Sequence, residues 1–313
     1  SLIMIKKYRM TVMKLTVKFV RRQLELLKPF ITGCSLAASR AGQAAVGELI
    51  SIPLRKEERF ERIAFPEFEC GLVTPNTAAD PDCALIYIHG GGYTAGNLDY
   101  ARGFSSVLAA ETGLRVFCPA YRLAPEDKYP AALKDCLTLY RYVTETLEIP
   151  PSKTVLVGES AGGGLIYSLC IQLERMGKEL PAGIVAISPW TDLTESGESY
   201  ERNRDIDPSM TKERLEYFAQ CYVPEGTDPR DPLISPVFGD LHGMPPSLIF
   251  SGGDEVMLDD ASALDSNLQL AGCESRHIIR PGMWHAYVVY GLDETHDDMD
   301  DICRFVKEKL GIS

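Results

Sequence analysis

Gly158-Glu159-Ser160-Ala161-Gly162 sets a serine among small residues, between an apolar run at 154–157 and a helical stretch at 161–178. A strand-to-helix turn at that point strains the serine backbone. Small neighbours avoid clashes, and helix-start N–H groups point at the reacting oxygen. This is a seat for a nucleophile in acyl transfer. About 70 residues earlier, His89-Gly90-Gly91-Gly92-Tyr93 follows the apolar run 83–88. Three consecutive glycines let backbone N–H groups come close to a developing oxyanion. Their spacing fits neither a dinucleotide loop nor a P-loop, which disfavours a phosphate site. The predicted oxyanion hole is made by Gly90, Gly91 and the amide of Ala161.

A serine nucleophile needs a base, and the base needs an orienting acid. Of the five histidines, His89 opens the glycine loop, His242 precedes the run 247–251, His277 lies in a predicted strand and His296 starts a helix. His285 stands in a glycine-bearing loop, Pro281-Gly282-Met283-Trp284-His285, after the last strand. It is the predicted base. Asp254 and Glu255 follow Gly252-Gly253 at the end of the run 247–251, with Asp259 and Asp260 close behind. Spacing alone does not choose among these acids. The chain order serine, acid, histidine is that of a hydrolase.

These residues need a scaffold that brings strand ends together. Short apolar runs at 83–88, 114–120, 154–158, 183–188 and 247–251, with a weaker one at 277–280, alternate with helical stretches at about 101–112, 130–148, 161–178, 211–222, 259–272 and 296–310. That rhythm predicts an α/β fold with a mostly parallel central sheet flanked by helices. Segments 60–65 and 68–74 read as an antiparallel hairpin on its edge. The polar stretch 191–232 carries one helix and interrupts the rhythm, as an insertion over the C-terminal strand ends would. Near the N-terminus, Met13, Val17, Val20, Leu24, Leu27 and Ile31 follow one helix face, and Leu15, Phe19, Leu26 and Phe30 follow another. Two apolar stripes predict two partners.

The chain resembles the hormone-sensitive-lipase-like branch of the α/β-hydrolases, the bacterial carboxylesterase and acetylesterase type. The resemblance rests on His89-Gly90-Gly91-Gly92-Tyr93, Tyr121-Arg122-Leu123-Ala124-Pro125-Glu126, Gly158-Glu159-Ser160-Ala161-Gly162-Gly163 and Ser188-Pro189-Trp190-Thr191-Asp192-Leu193. Asp231-Pro232-Leu233-Ile234-Ser235-Pro236, Gly253-Asp254-Glu255 and Met283-Trp284-His285 complete it. It implies Ser160 as nucleophile, Asp254 as acid and His285 as base. It also implies a helical cap from residues 1–55 and 191–232 over a core of 56–190 and 233–313. The implied substrates are small, short-acyl esters; an amidase or formamidase would use the same groups, whereas a non-catalytic receptor on this fold would have lost a triad member. Two departures stand out: Asp-Glu-Val replaces the commoner Asp-Pro-Leu at the acid, and Glu159 replaces the commoner Asp beside the nucleophile. Arg122 and Glu126 are expected to pair beneath the site. Tyr93, Trp190 and Tyr287 are candidates for the substrate pocket, with core filling the equal alternative for Trp190 and Tyr287.

Charge and composition narrow the remaining classes. The 313 residues carry a net charge of −12, which disfavours a nucleic-acid partner. Residues 1–28 hold eight Lys/Arg and one Glu, leaving −19 for the rest. No apolar run has the length of a membrane span, so stable membrane insertion is not expected, although a basic amphipathic helix is compatible with a membrane surface. Nine scattered cysteines without a CxxC suggest neither a disulfide framework nor a zinc site, and predict a reduced, cytoplasmic setting. No metal or organic cofactor is expected. The partner is a small-molecule ester, and a homodimer is compatible with the sequence.

Overall fold

The computed structural model describes residues 16–77 and 80–312; Met13 and Leu15 of the two stripes lie outside them. Eight strands form one sheet: β1 (Glu58–Ala64), β2 (Glu69–Pro75), β3 (Ala84–Ile88), β4 (Val116–Ala120), β5 (Thr154–Glu159), β6 (Gly183–Ile187), β7 (Ser247–Gly252) and β8 (Ser275–Arg280). Their order is β1-β2-β4-β3-β5-β6-β7-β8. β2 pairs antiparallel with β1 and β4, and every later pairing is parallel. β3, β5, β6 and β7 are buried throughout, because a parallel sheet is covered on both faces. The outer strands β1 and β8 instead carry Arg and Glu or Arg and His, as exposed edges should.

The period of two divides the core. Ile86, Ile88, Leu156, Ala186 and Ile249 face one side, packed with α4 (Ala131–Arg141), α5 (Ala161–Arg175) and α7 (Leu258–Leu270). Leu85, Tyr87, Val155, Val157 and Phe250 face the other, with α3 (Leu98–Thr112) and α8 (His296–Leu310). The helix expected over 130–148 ends at Arg141 and runs on as a wider turn, closed by Leu147 N–H donating to Tyr142 O at 2.9 Å. The β-branched Val143, Thr144 and Thr146 crowd a regular helix there.

Two helices precede the sheet. The hydroxyl of Thr16 caps α1 (Val17–Gly33), and that of Ser35 caps α2 (Leu36–Ser51). α2 crosses α3 at van der Waals contact: a Cβ on Gly47 would lie 2.2 Å from Asp99 O. α1 departs from the two-partner expectation. Val20 and Leu24 are buried with the α3/α8 side of the core, but Phe19, Leu26 and Phe30 are exposed. Periodicity marks an apolar face without saying what meets it. The insertion 191–232 contributes a single turn, Ser199–Arg202, and α6 (Lys212–Tyr222). Among the described residues, no helix is long and apolar enough to cross a membrane.

Candidate active site

Ser160 joins β5 to α5 with φ 52° and ψ −123°, a conformation costly for any residue with a side chain. The turn is held from three directions. Ser160 N–H donates to Ile187 O at 2.9 Å, and Ser160 O accepts from Gly164 N–H at 3.1 Å and Trp190 N–H at 2.9 Å. A Cβ on Gly162 would sit 2.1 Å from Ile88 O, so no larger residue fits the position. The strain turns the hydroxyl outward, toward His285.

His285 Nε2 lies 2.8 Å from Ser160 Oγ, and its Nδ1 lies 2.9 Å from Glu255 Oε2. The carboxylate on the imidazole is therefore Glu255, and the expectation of Asp254 is corrected. The two neighbours point opposite ways. Gly253 N–H donates to Arg280 O at 2.8 Å and Asp254 N–H to Met283 O at 3.0 Å, which zips the ends of β7 and β8 together. This arrangement turns the Asp254 carboxylate out to Arg21, whose Nη1 is 2.7 Å from Oδ2. Glu255 turns inward, fully buried, and its Oε1 accepts Gly252 N–H at 3.1 Å. The insertion braces the same loop: Asn203 Nδ2 donates to Glu255 O at 2.8 Å, and Asp207 Oδ2 accepts Val256 N–H at 2.9 Å. No local motif flagged Arg21, Asn203 or Asp207, because each acts far from its own place in the chain.

Burial alone would disfavour a charged imidazole. The hydrogen bond and charge of Glu255, with the charges of Asp207 and Glu159, outweigh it, so the His285 pKa lies above the ordinary histidine value. His89 shows the opposite balance. Its ring stacks on Tyr121 at 4.3 Å, bonds back to Gly90 O, and is pushed down to about 4, with burial the largest cause. A second serine–histidine contact, Ser251 Oγ to His277 Nε2 at 2.8 Å, has its serine sealed inside β7. It is a packing bond.

The glycine loop requires a second correction. Gly90 N–H donates to Glu159 Oε1 at 3.0 Å, and that oxygen also accepts the Tyr100 hydroxyl. The Gly90 amide is thus taken. Gly91 (φ 117°) and Gly92 (φ 59°) adopt backbone angles open mainly to glycine. Their N–H groups, with that of Ala161, have no protein acceptor among the described residues. Arg40 of α2 ties the loop's far end: Nε donates to Thr94 O at 2.8 Å and Nη2 to Ala124 O at 3.1 Å, and the guanidinium pairs with Glu126. Arg122 pairs with Asp135 at 2.7 Å, so the expected Arg122–Glu126 pair is not formed. The two side chains face different helices, α2 and α4.

Of the three aromatic candidates, two come together. Tyr93 stacks on Tyr222 at 3.7 Å and lies 5.9 Å from Trp190, both rings buried in the core below α6. Tyr287 is on the opposite face of the sheet, its hydroxyl 2.9 Å from the buried Asp298. It packs into the core on that side. Among the described residues, no three His, Cys, Asp or Glu side chains gather as a metal-ligand set, and all nine cysteines are free thiols.

Residues 85–289 match a family model described as the alpha/beta hydrolase fold. An acetyl-hydrolase of Streptomyces hygroscopicus is 39% identical over 206 residues, 66% of this chain and 68% of that protein. An ethyl acetate hydrolase of Pseudomonas putida is 32% identical over 235 residues, 72% and 73% of the two chains. Among solved structures, a hormone-sensitive lipase from a metagenome library aligns with a TM-score of 0.87 at 29% identity, covering 96% of this chain and 100% of that one. An esterase from the bacterial hormone-sensitive lipase family aligns at 0.79 with 33% identity, covering 98% and 96%. The chain belongs to the alpha/beta-hydrolase family. Within it, this is a carboxylesterase-type hydrolase of the hormone-sensitive-lipase-like branch.

Proposed function

We propose that the chain hydrolyses small, short-acyl carboxylic esters through an acyl-enzyme on Ser160. The observation that carries this reading is the unbroken chain Ser160 Oγ, His285, Glu255, with contacts of 2.8 and 2.9 Å on a strained elbow. His285 Nε2 takes the hydroxyl proton as Ser160 Oγ attacks the ester carbonyl. Glu255 holds the proton on Nδ1, which leaves Nε2 the free acceptor, and it stabilises the imidazolium that forms. The amides of Gly91, Gly92 and Ala161 receive the oxyanion. The imidazolium then protonates the departing alkoxide, and a water deprotonated by His285 releases the acid. The preference for short acyl groups is supported by the acetyl-hydrolase and ethyl acetate hydrolase relatives.

α1, α2 and the insertion 191–232 act as the cap. Phe218 of α6 supports this reading: a Cβ on Gly92 would lie 2.3 Å from its ring, so the ring roofs the glycine loop. The unpaired thiols favour a cytoplasmic setting. The test is a panel of p-nitrophenyl esters from acetyl to decanoyl with matched anilides. Fastest turnover on the acetyl-to-butyryl esters supports the reading; faster turnover of the anilides would replace it with an amidase.

A further inference from the structure

One guanidinium of α1 reaches three loops around the proposed acid and base. Arg21 Nη1 donates to Asp254 Oδ2 at 2.7 Å and to Gly282 O at 2.9 Å, and Nη2 donates to Ile206 O at 2.8 Å. Nε donates to Glu25 Oε1 at 3.1 Å, which fixes the plane of the fork. Asp254 adjoins Glu255, Gly282 lies in the loop that ends in His285, and Ile206 adjoins Asp207, which holds Val256 N–H. Lys28, two turns further along α1, backs the third contact by donating to Asp207 O. A planar fork with five fixed donors can bind these three loops at once, whereas a lysine ammonium cannot reproduce the geometry.

We propose that Arg21 is a positioning residue for the Glu255–His285 pair, so that α1 sets the geometry of the reaction as well as covering the site. The inference rests on the serine-esterase reading above. Its rival is an ordinary surface ion pair that only docks α1, and such pairs contribute little. The charged groups facing His285 are Glu255, Asp207 and Glu159, with the Arg21–Asp254 pair behind the acid loop. If the loops slacken, Glu255 loses its hold on the ring, and the acid limb of kcat/KM moves to lower pH. Removing a cation by charge alone would move that limb upward.

The test is Arg21→Lys, which keeps the charge and gives up the fork, with Arg21→Ala as the fuller deletion. Steady-state kinetics on p-nitrophenyl acetate across pH, on protein of checked melting temperature, read the result. Arg21→Lys should lower kcat about tenfold, the scale of a small misplacement of reacting groups, with KM within about twofold and the acid limb shifted down. Should the alanine variant fail to fold, the lysine variant decides alone. Unchanged kcat and limb in Arg21→Lys, or a change confined to KM, overturns the inference. Failure of the esterase reading has a different signature, a Ser160→Ala protein that keeps its activity.

Discussion

Glu255→Gln and Asp254→Asn remove one charge each from neighbouring residues, yet the structure assigns them very different costs. Both oxygens of Glu255 accept: Oε1 from Gly252 N–H at 3.1 Å and Oε2 from the His285 ring at 2.9 Å. A glutamine has one acceptor oxygen. If it keeps Gly252, its NH2 faces Nδ1 and drives the ring proton to Nε2, where the base can no longer take the Ser160 proton. If it keeps His285, its NH2 opposes the Gly252 N–H in a fully buried site, at about 1–3 kcal/mol for the unmet donors. The first arrangement wins, and it is the inactive tautomer. The comparable change in a serine protease lowers kcat about 10⁴-fold. About a thousand- to ten-thousand-fold is therefore expected here, or about 4–5.5 kcal/mol of transition-state stabilisation. Asp254→Asn touches a pair whose side chains are 25% and 23% exposed, worth about 1 kcal/mol or less, and should cost under about tenfold in kcat. Initial rates on p-nitrophenyl acetate, with melting curves to confirm both folds, measure the ratio. A larger loss in Asp254→Asn than in Glu255→Gln would refute the assignment of the acid.

Three further outcomes follow from the same geometry. Ser160→Ala should lower ester hydrolysis by about 10⁴-fold or more while the protein still melts cooperatively; retention of a tenth of the activity would remove Ser160 from the mechanism. The base must be neutral to act, so kcat/KM falls as pH drops through the His285 pKa. Because that pKa is raised, the limb should lie above the ordinary histidine value of about 6.5 and move down in Glu255→Gln, where only the charges of Asp207 and Glu159 still oppose burial. Deleting residues 1–34 should leave the sheet folded, since Val20 and Leu24 are the buried residues of α1. It should nevertheless lower kcat at least as far as Arg21→Ala does, and kinetics on acetyl and hexanoyl esters that match the full chain would contradict this.

The strands and most helices were legible because burial on two faces leaves its mark directly in composition: the cores of β3, β5, β6 and β7 are short apolar runs with a glycine or serine at or just past their ends. The nucleophile and the base were legible because each needs a local backbone form, a tight elbow or a loop after the last strand, that small residues announce. The acid was not. Asp254 and Glu255 have similar chemistry and adjacent places, and what separates them is direction. That direction is fixed by bonds from β8 and from Arg21, which is 233 residues away in sequence. The oxyanion loop failed for a related reason. Three glycines say that amides are accessible, but not which amide a neighbour has already taken, and Glu159 takes that of Gly90.

These two misreadings share a cause that bears on how the site works. In the site as proposed, each of these residues supports the one beside it: Asp254 anchors the loop that carries Glu255, and Gly90 anchors the loop that carries Gly91 and Gly92. Both supports are reinforced from the N-terminal helices, by Arg21 on the acid side and by Arg40 on the far end of the glycine loop. The proposed reacting groups stand on turns and loops that follow β3, β5, β7 and β8, where a rigid sheet fixes their starting points. The carboxylates and guanidinium groups that brace the acid loop and the glycine loop lie outside the sheet. On the proposed role of Arg21, tightly held groups on the sheet and adjustable ones on the helices would give this hydrolase a fixed chemistry with a geometry that α1 tunes.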